Sequence, residues 1–389
     1  MKILYIAEKV PFPIYLDGGT LMNYHLLKGL KKNHSIDFIS FSNKAVPNNF
    51  IEKLCHNYYG ITQNNSLNKI HYLKGAISLL PPIYFNKSKE FANKLNELVS
   101  NNKYDIVFTD TIYMDVYTSN IVHPNKIISL HDSLSLLYKT FIPNTRNIFY
   151  LIYFGFCSYV FKRKELEILK SYSKCIFVSD KDEKHLANKN LNFTNTYTVP
   201  NGVNEDLINR ENSINFEPNS IVFSGVMDYK PNIDAVLYFV DTILPLILKE
   251  NSEVKFYIIG KNPTNEVNAL TSENVIVTGW VEDISEYICK GAIYVSPLIS
   301  GAGLKNKILE AMALRTAIVA TSLSLDGIMV NDDEHLYIAD TPKLFAERVL
   351  ELLKDKKNRG RLIANSYELI LEKYTWKNII QKYEIEIFK

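Results

Sequence analysis

Along the whole 389-residue chain, short runs of β-branched and aromatic residues alternate with longer stretches at helical spacing. This alternation constrains the fold more than any other feature. Each apolar run is too short for a helix, and each stretch between runs is too long for a hairpin loop, so the chain reads as βα units around parallel sheets. The strand-like runs of the first half are Lys2–Ala7, Ile36–Ser40, Asp105–Thr109, Lys126–Leu130 and Cys175–Ser179. Those of the second half are Ser220–Ser224, Val254–Gly260, Val275–Gly279, Ala292–Ser296, Ala317–Thr321 and Leu336–Ala339. At roughly 150 residues per domain the chain is long enough for two such sheets with two cores.

The break between them falls at Val199-Pro200-Asn201-Gly202-Val203, a Pro and Asn-Gly turn signal followed by the polar run Asn209–Asn219. The expected division is residues 1–204, 205–373, and a C-terminal helix over 374–389 that crosses back to the first domain. Ligands of open α/β sheets bind outside the carboxyl ends of the strands. Two doubly wound sheets facing a cleft are therefore expected to carry the site in the loops that follow their strands.

Composition removes other classes. With 22% charged residues and a net charge of +2, the chain is neither disordered nor a dedicated nucleic-acid binder, which would need a strongly basic face. The four cysteines, Cys55, Cys157, Cys175 and Cys289, form no Cys-x-x-Cys pair, so neither a zinc site nor a disulfide framework is indicated. The start, Met1 to Glu8, reads as a buried strand rather than a signal peptide, and a cytoplasmic protein is expected. The apolar stretch Ile148 to Phe161 is shorter than the ~20 residues a spanning helix needs.

The most informative segment is Val295 to Ala313, which contains Gly301-Ala302-Gly303-Leu304-Lys305-Asn306-Lys307-Ile308-Leu309-Glu310. It reads as strand, glycine-containing loop, then helix. A helix start offers unpaired N–H groups and partial positive charge to a phosphate. Lys305 and Lys307 add cations, and Glu310, three residues after Lys307, lies on nearly the same face, where a carboxylate accepts two hydrogen bonds from a ribose diol. The set suits a nucleoside diphosphate. An ordinary solvated Lys–Glu pair on a surface helix stays open from the pattern alone.

Gly-x-Gly-x-Lys-x-Lys-x-x-Glu-Ala-Met-Ala, followed by Val-Ala-Thr at 319–321 and Asp-Gly at 326–327, resembles the donor-binding segment of the retaining GT-B glycosyltransferases of family 4, also called group 1. Phe223 to Ala235, Pro200-Asn201-Gly202-Val203 and Tyr374-Thr375-Trp376 resemble the opening strand and loop of that family's donor domain, its hinge, and the segment before its crossing helix. The resemblance implies that Lys305 and Lys307 neutralise the diphosphate and that Glu310 holds the ribose. It implies further that Gly303 lets the backbone approach, that Trp280 and Val281 border the base, and that the loop after Gly225 approaches the diphosphate through Lys230 or Asn232. An exposed loop lysine is the other reading of Lys230.

In the first half, Pro11-Phe12-Pro13 and Asp17-Gly18-Gly19-Thr20 stand between the first strand and the helix-like run Leu21–Leu30. A tight turn is the plain reading. The resemblance instead directs Gly18 and Gly19 toward the donor phosphates. His131 and Asp132 end the strand that closes in Ser129-Leu130. They read from pattern as a structural histidine and a helix cap, and from the resemblance as catalytic residues near the reacting sugar carbon. Ser179-Asp180 reads as a cap for a helix over 181–190.

Two departures accompany the resemblance. Ala302 stands where many members have the first of two glutamates, so the residue said to contact the donor sugar is missing. Leu314-Arg315-Thr316-Ala317 replaces the usual Gly-x-Pro after the helix, so either Arg315 adopts a backbone conformation that disfavours side chains or the helix ends differently.

The resemblance implies transfer of a sugar from a UDP- or GDP-linked donor to a saccharide or lipid-linked acceptor hydroxyl, with retention, without metal or other cofactor, in bacterial surface polysaccharide or glycolipid synthesis. A nucleotide-binding subunit without activity and a nucleotide-sugar epimerase of the same fold are the alternatives. The aromatic residues, 20 Phe and 25 Tyr, concentrate at Phe149, Tyr150, Tyr153, Phe154, Phe156, Tyr159 and Phe161, directly before Lys162-Arg163-Lys164. This pattern fits a buried helix with a solvated basic end, and alternatively a peripheral contact with the cytoplasmic face of a membrane.

Overall fold

The computed structural model describes residues 1–12, 18–42, 46–62, 88–143, 145, 147–186, 193–210 and 216–389. The chain forms two compact units, Met1–Pro200 with Ile379–Lys389, and Asn201–Asn378.

The first unit holds β1 (Lys2–Lys9), β2 (Ser35–Phe41), β3 (Asn57–Ile61), β4 (Ile106–Asp110), β5 (Lys126–His131), β6 (Lys174–Phe177) and β7 (Thr196–Thr198). They form one sheet in the order β3-β2-β1-β4-β5-β6-β7, and every pair is parallel. Period-2 alternation divides the side chains between two faces. Leu4, Ile6, Ile39 and Val107 pack on Phe91, Leu95 and Leu98 of the helix Lys89–Asn101. Ile128, Leu130, Cys175 and Phe177 pack on Cys157, Phe161, Ile168 and Leu169 of the helix Ile148–Ser171.

The second unit holds β8 (Glu217–Ser224), β9 (Lys255–Ile259), β10 (Val275–Gly279), β11 (Gly291–Ser296), β12 (Ala317–Ala320) and β13 (Tyr337–Ile338), ordered β10-β9-β8-β11-β12-β13. All are parallel. Burial on both faces explains the unbroken apolar runs Ile221–Phe223 in β8 and Ala292–Val295 in β11. Ile221, Phe223, Ile293 and Val295 face one core, while Val222 and Tyr294 face the other, together with Ile308 and Met312 of the helix Asn306–Ala313.

In each sheet the strand order reverses once, between β1 and β4 in the first and between β8 and β11 in the second. Such switch points open a crevice at the carboxyl ends of the diverging strands. Asp110 closes β4, and the Gly301–Gly303 loop follows β11.

The run Lys230–Glu250 is long and apolar enough to cross a membrane, yet Ala235, Val236, Phe239, Ile243, Leu244 and Ile247 are buried in the second unit's core. A single π turn over Phe239–Ile243 interrupts it just before Pro245, whose missing N–H removes one α-helical hydrogen bond.

Several local expectations change. The first helix is Gly18–Leu30, so Gly18 and Gly19 open the helix instead of forming a loop before it; Pro13 and Asp17 lie outside the described residues. Two edge strands, β3 and β7, join the expected set, and β8 begins at Glu217, inside the polar run. Ser179 Oγ accepts from the N–H groups of Lys181 and Asp182 (3.2 and 3.4 Å) and caps the helix Asp180–Leu186. Residues 187–190 lie outside the described set.

Arg315 takes φ +53°. Its N–H bonds Met312 O (3.1 Å), and Thr316 N–H bonds Ala311 O (3.1 Å). That double closure is the glycine-type helix end, reached here with a side chain at a cost of about 1–2 kcal/mol. Stacking offsets part of the cost: the guanidinium lies 3.8 Å from the Tyr367 ring centroid and donates to Arg210 O.

Candidate functional site

In the second unit three glycine corners stand at the carboxyl ends of adjacent strands. Gly225 N–H donates to Ile259 O (2.9 Å) and Gly260 N–H to Gly279 O (3.1 Å), which links the loops after β8, β9 and β10. A Cβ on Gly225 would lie 2.6 Å from Asn232 Nδ2 and 3.1 Å from Lys307 Nζ. Glycine is therefore what lets Asn232 and Lys307 come under this loop.

Asn232, nearly buried, donates its amide to Val226 O (2.9 Å) and accepts at Oδ1 from Lys307 Nζ (2.6 Å). Lys307 Nζ also lies 4.3 Å from the centre of the Phe223 ring. Burial, helped by the nearby Lys305 charge, lowers the Lys307 ammonium to about 7, against the opposing pull of Glu310. Burial raises the Glu310 carboxyl, and Lys307 counteracts it. Glu310 is one turn along the helix Asn306–Ala313. Among the described residues no side chain donates a hydrogen bond to it.

Lys305 closes its own loop: Nζ donates to Ala302 O (3.0 Å) and to Gly303 O. Gly301 and Gly303 hold φ +124° and +70°, so the loop needs glycine at both positions. Lys305 is also the N-cap of Asn306–Ala313 and offers no side-chain cap, leaving the helix start to its backbone N–H groups. Asn201 Nδ2 donates to Asn306 Oδ1 (2.9 Å) and ties the first residues of the unit to this helix. Lys230 opens the helix Lys230–Tyr238 and pairs with Asp234 (2.9 Å). Asp234 also accepts from Ser300 Oγ (3.3 Å), joining this helix to the glycine loop. Trp280 is 72% exposed, and Val281, half-buried, packs against the core beneath the Asn306–Ala313 helix.

The first unit gathers a second cluster. His131 ends β5 with φ +57°, just after a register shift in the β5–β6 ladder between Ser129 and His131. The bulge and the left-handed backbone turn the ring toward the neighbouring strand. Its Nε2 lies 2.6 Å from Asp110 Oδ1. Asp110 is buried, and its other oxygen accepts from Asn23 Nδ2 (2.8 Å). Asn23 Oδ1 in turn accepts from Tyr5 Oη (2.5 Å). Burial and the Asp110 charge push the Tyr5 and Tyr383 hydroxyls up.

Half-buried Asp132 follows, and Ser133 N–H is fixed by Asp182 Oδ1 (2.9 Å). Behind this turn the buried Glu165 carboxyl accepts from Ser133 Oγ (3.2 Å) and Ser135 Oγ (2.5 Å). Burial pushes it up to about 7 against those hydrogen bonds. Asp110, Asn23, Tyr5, Glu165 and Gly260 were not singled out by sequence. A polar residue ending the apolar run of β4 at a switch point was the available signal for Asp110.

Asp110→Asn replaces an acceptor-only group with one that must present an NH₂ to either His131 or Asn23. With the site buried, the expected cost is about 2 kcal/mol, read as a lower urea midpoint at unchanged slope.

Among the described residues no group of three or more His, Cys, Asp or Glu side chains is placed to hold a metal ion.

Residues 218–355 match the family model of glycosyl transferases group 1. A Klebsiella pneumoniae protein described as an uncharacterized 44.6 kDa protein in the cps region is 24% identical over 398 residues, covering 97% of each chain. A glycosyltransferase from Rickettsia africae superposes with TM-score 0.65 at 14% identity, over 100% of this chain and 97% of that one. Anabaena HepE, solved in complex with UDP and glucose, gives TM-score 0.66 at 14% identity, over 99% and 98%. The chain is accordingly a protein of the GT-B fold, built from two doubly wound parallel-sheet units, whose residues 218–355 match the group 1 glycosyl transferase model.

Proposed function

We propose that the protein transfers a hexosyl group from a UDP- or GDP-linked donor to an acceptor hydroxyl with retention, in the assembly of a surface polysaccharide or glycolipid. The observation that carries this reading is the Glu310 carboxylate, desolvated and without a protein donor among the described residues, one helical turn from the half-buried Lys307 ammonium. A ribose diol supplies two hydroxyl donors to such a carboxylate, and a diphosphate supplies the anion for the lysine. The cps-region relative and the UDP and glucose of HepE support the pathway and the donor class.

In the reaction the bond between the anomeric carbon and the diphosphate oxygen breaks, and a bond from the acceptor oxygen forms on the same face. The acceptor proton passes to a diphosphate oxygen. Lys307, Lys305 and the uncapped N–H groups of Asn306–Ala313 stabilise the negative charge that grows on the leaving group, so the reading requires neither metal nor organic cofactor. The reading assigns Gly18 and Gly19 backbone contacts to the donor, Trp280 and Val281 the border of the base, and His131 with Asp132 the reacting carbon. The work is done on the cytoplasmic side.

Incubation with radiolabelled UDP- and GDP-sugars tests the reading. Slow donor hydrolysis is expected, with nucleotide affinity about 10- to 100-fold weaker in Glu310→Ala. Tight nucleotide binding with no turnover on any acceptor would instead establish a binding subunit.

A further inference from the structure

The helix Ile148–Ser171 buries Cys157, Phe161, Glu165, Ile168 and Leu169. Among the described residues nothing covers its opposite side. Ile148, Phe149, Tyr150, Ile152, Phe156 and Tyr159 are 60, 79, 57, 66, 39 and 68% exposed. At about 100° per residue, Ile148, Ile152, Phe156, Tyr159 and Arg163 fall on one stripe. Single exposed apolar side chains are ordinary; six on one stretch of helix are not. A buried helix with a solvated basic end, the other sequence reading, does not describe this half of it.

Two further facts select the occupant. From Ser133 to Lys164 the sequence contains no Asp or Glu, while Lys139, Arg146, Lys162, Arg163 and Lys164 fall within it. Lys164 is committed to Asp115 (2.5 Å), and Arg163 makes only a solvent-exposed pair with Glu167 (3.5 Å), so Lys139, Lys162 and Arg163 all stay exposed. A second copy of the same face would bring like charges together, whereas an anionic surface complements them. The helix is also segregated along its axis: its first three turns expose apolar and aromatic groups, and its last turns expose Lys162, Arg163, Glu167 and Lys170. Tyr150 and Tyr159 suit a boundary where a ring is buried and a hydroxyl stays wet.

We propose that the Ile148–Tyr159 side of this helix seats in the headgroup boundary of an anionic lipid bilayer, with Lys139, Lys162 and Arg163 on the lipid phosphates. The surface is independent of the donor chemistry, so it stands or falls apart from the transferase reading.

Flotation of the full chain with vesicles of phosphatidylglycerol and phosphatidylcholine, against phosphatidylcholine alone, tests it. Binding is expected to the anionic vesicles, to weaken with salt, and to fall at least about tenfold in Lys162→Glu/Arg163→Glu. Phe149→Ser/Ile152→Ser/Tyr159→Ser removes only exposed groups, so it is expected to keep the melting temperature while losing the vesicles. Absence of binding to anionic vesicles overturns the proposal, as does binding that the triple variant leaves unchanged. So does a concentration-dependent dimer that the triple variant abolishes while vesicle binding is nil.

Discussion

Lys307→Met is expected to lower sugar transfer about 10²–10³-fold, the usual loss when one preorganised donor to a developing negative charge is removed. The Nζ has a fixed address, 2.6 Å from Asn232 Oδ1 and 4.3 Å from the Phe223 ring centre, under a loop that only glycine permits. Its ammonium is lowered to about 7 by burial, so near neutral pH about half of the unliganded molecules lack this charge. A bound diphosphate favours the charged form, and nucleotide binding should therefore take up protons. Uptake is about half a proton at pH 7 and nearly one at pH 8 to 9, with affinity falling as pH rises above 7. Calorimetry in buffers of different ionisation heat measures this directly, and Lys307→Met should abolish the uptake. Affinity that stays flat from pH 7 to 9 would remove Lys307 from the donor site. The linkage to folding has the opposite slope. The folded pKa lies below the ordinary lysine value, so the unfolded chain binds more protons between about pH 7 and 10, and this group's contribution to stability rises with pH across that window.

Gly260→Ala is expected to destabilise the second unit by about 3 kcal/mol or more, lowering its melting temperature by roughly 6–12 °C. Gly260 holds φ +149°, and a Cβ there would fall on the Gly225 carbonyl oxygen, backbone against backbone, where no rotamer change gives relief. The three glycine corners grade this effect. A Cβ at Gly225 meets Asn232 Nδ2 and Lys307 Nζ, ends of side chains that can move. Gly225→Ala should therefore keep most stability and lose donor binding. Gly279, φ +68°, has nothing within 4 Å of the added atom, which leaves only the backbone cost of about 1 kcal/mol. Thermal melts of the three variants, ranked 260, 279, 225 in lost stability, check the scheme; equal losses would contradict it.

The alternation of apolar runs made both sheets readable, because parallel strands buried on two faces advertise themselves as continuous β-branched segments. β3 and β7 were not readable for the same reason. Asn57-Tyr58-Tyr59-Gly60-Ile61 and Thr196-Tyr197-Thr198 are edge strands, only Ile61 among them is buried, and polar residues and a glycine interrupt them. Local spacing was enough to group Lys305, Lys307 and Glu310, which share one loop and helix. It could not reveal that Asn232 meets Lys307 from 75 residues away, or that Asp110 joins Asn23 and His131 across 87 and 21. Arg315 shows a different limit. Sequence left two outcomes open there, and the stacking partner Tyr367, far along the chain, is what accompanies the left-handed one.

The second unit leaves and rejoins the rest of the chain at neighbouring points. Val203 N–H bonds Tyr374 O (2.7 Å), Val203 pairs with Thr375, and a Cβ added at Gly202 would lie 2.7 Å from the Trp376 ring. The first unit is by contrast written in two pieces, since the Tyr383 ring packs tilted and the Phe388 ring edge-on against Phe108. In gene terms the second unit is a cassette with its ends already brought together. Residues 201–378 are therefore expected to fold when expressed alone, a cooperative thermal melt of that fragment being the check. A first unit cut at Pro200 would lose part of its own core, and needs a short linker to residue 379 in place of the cassette.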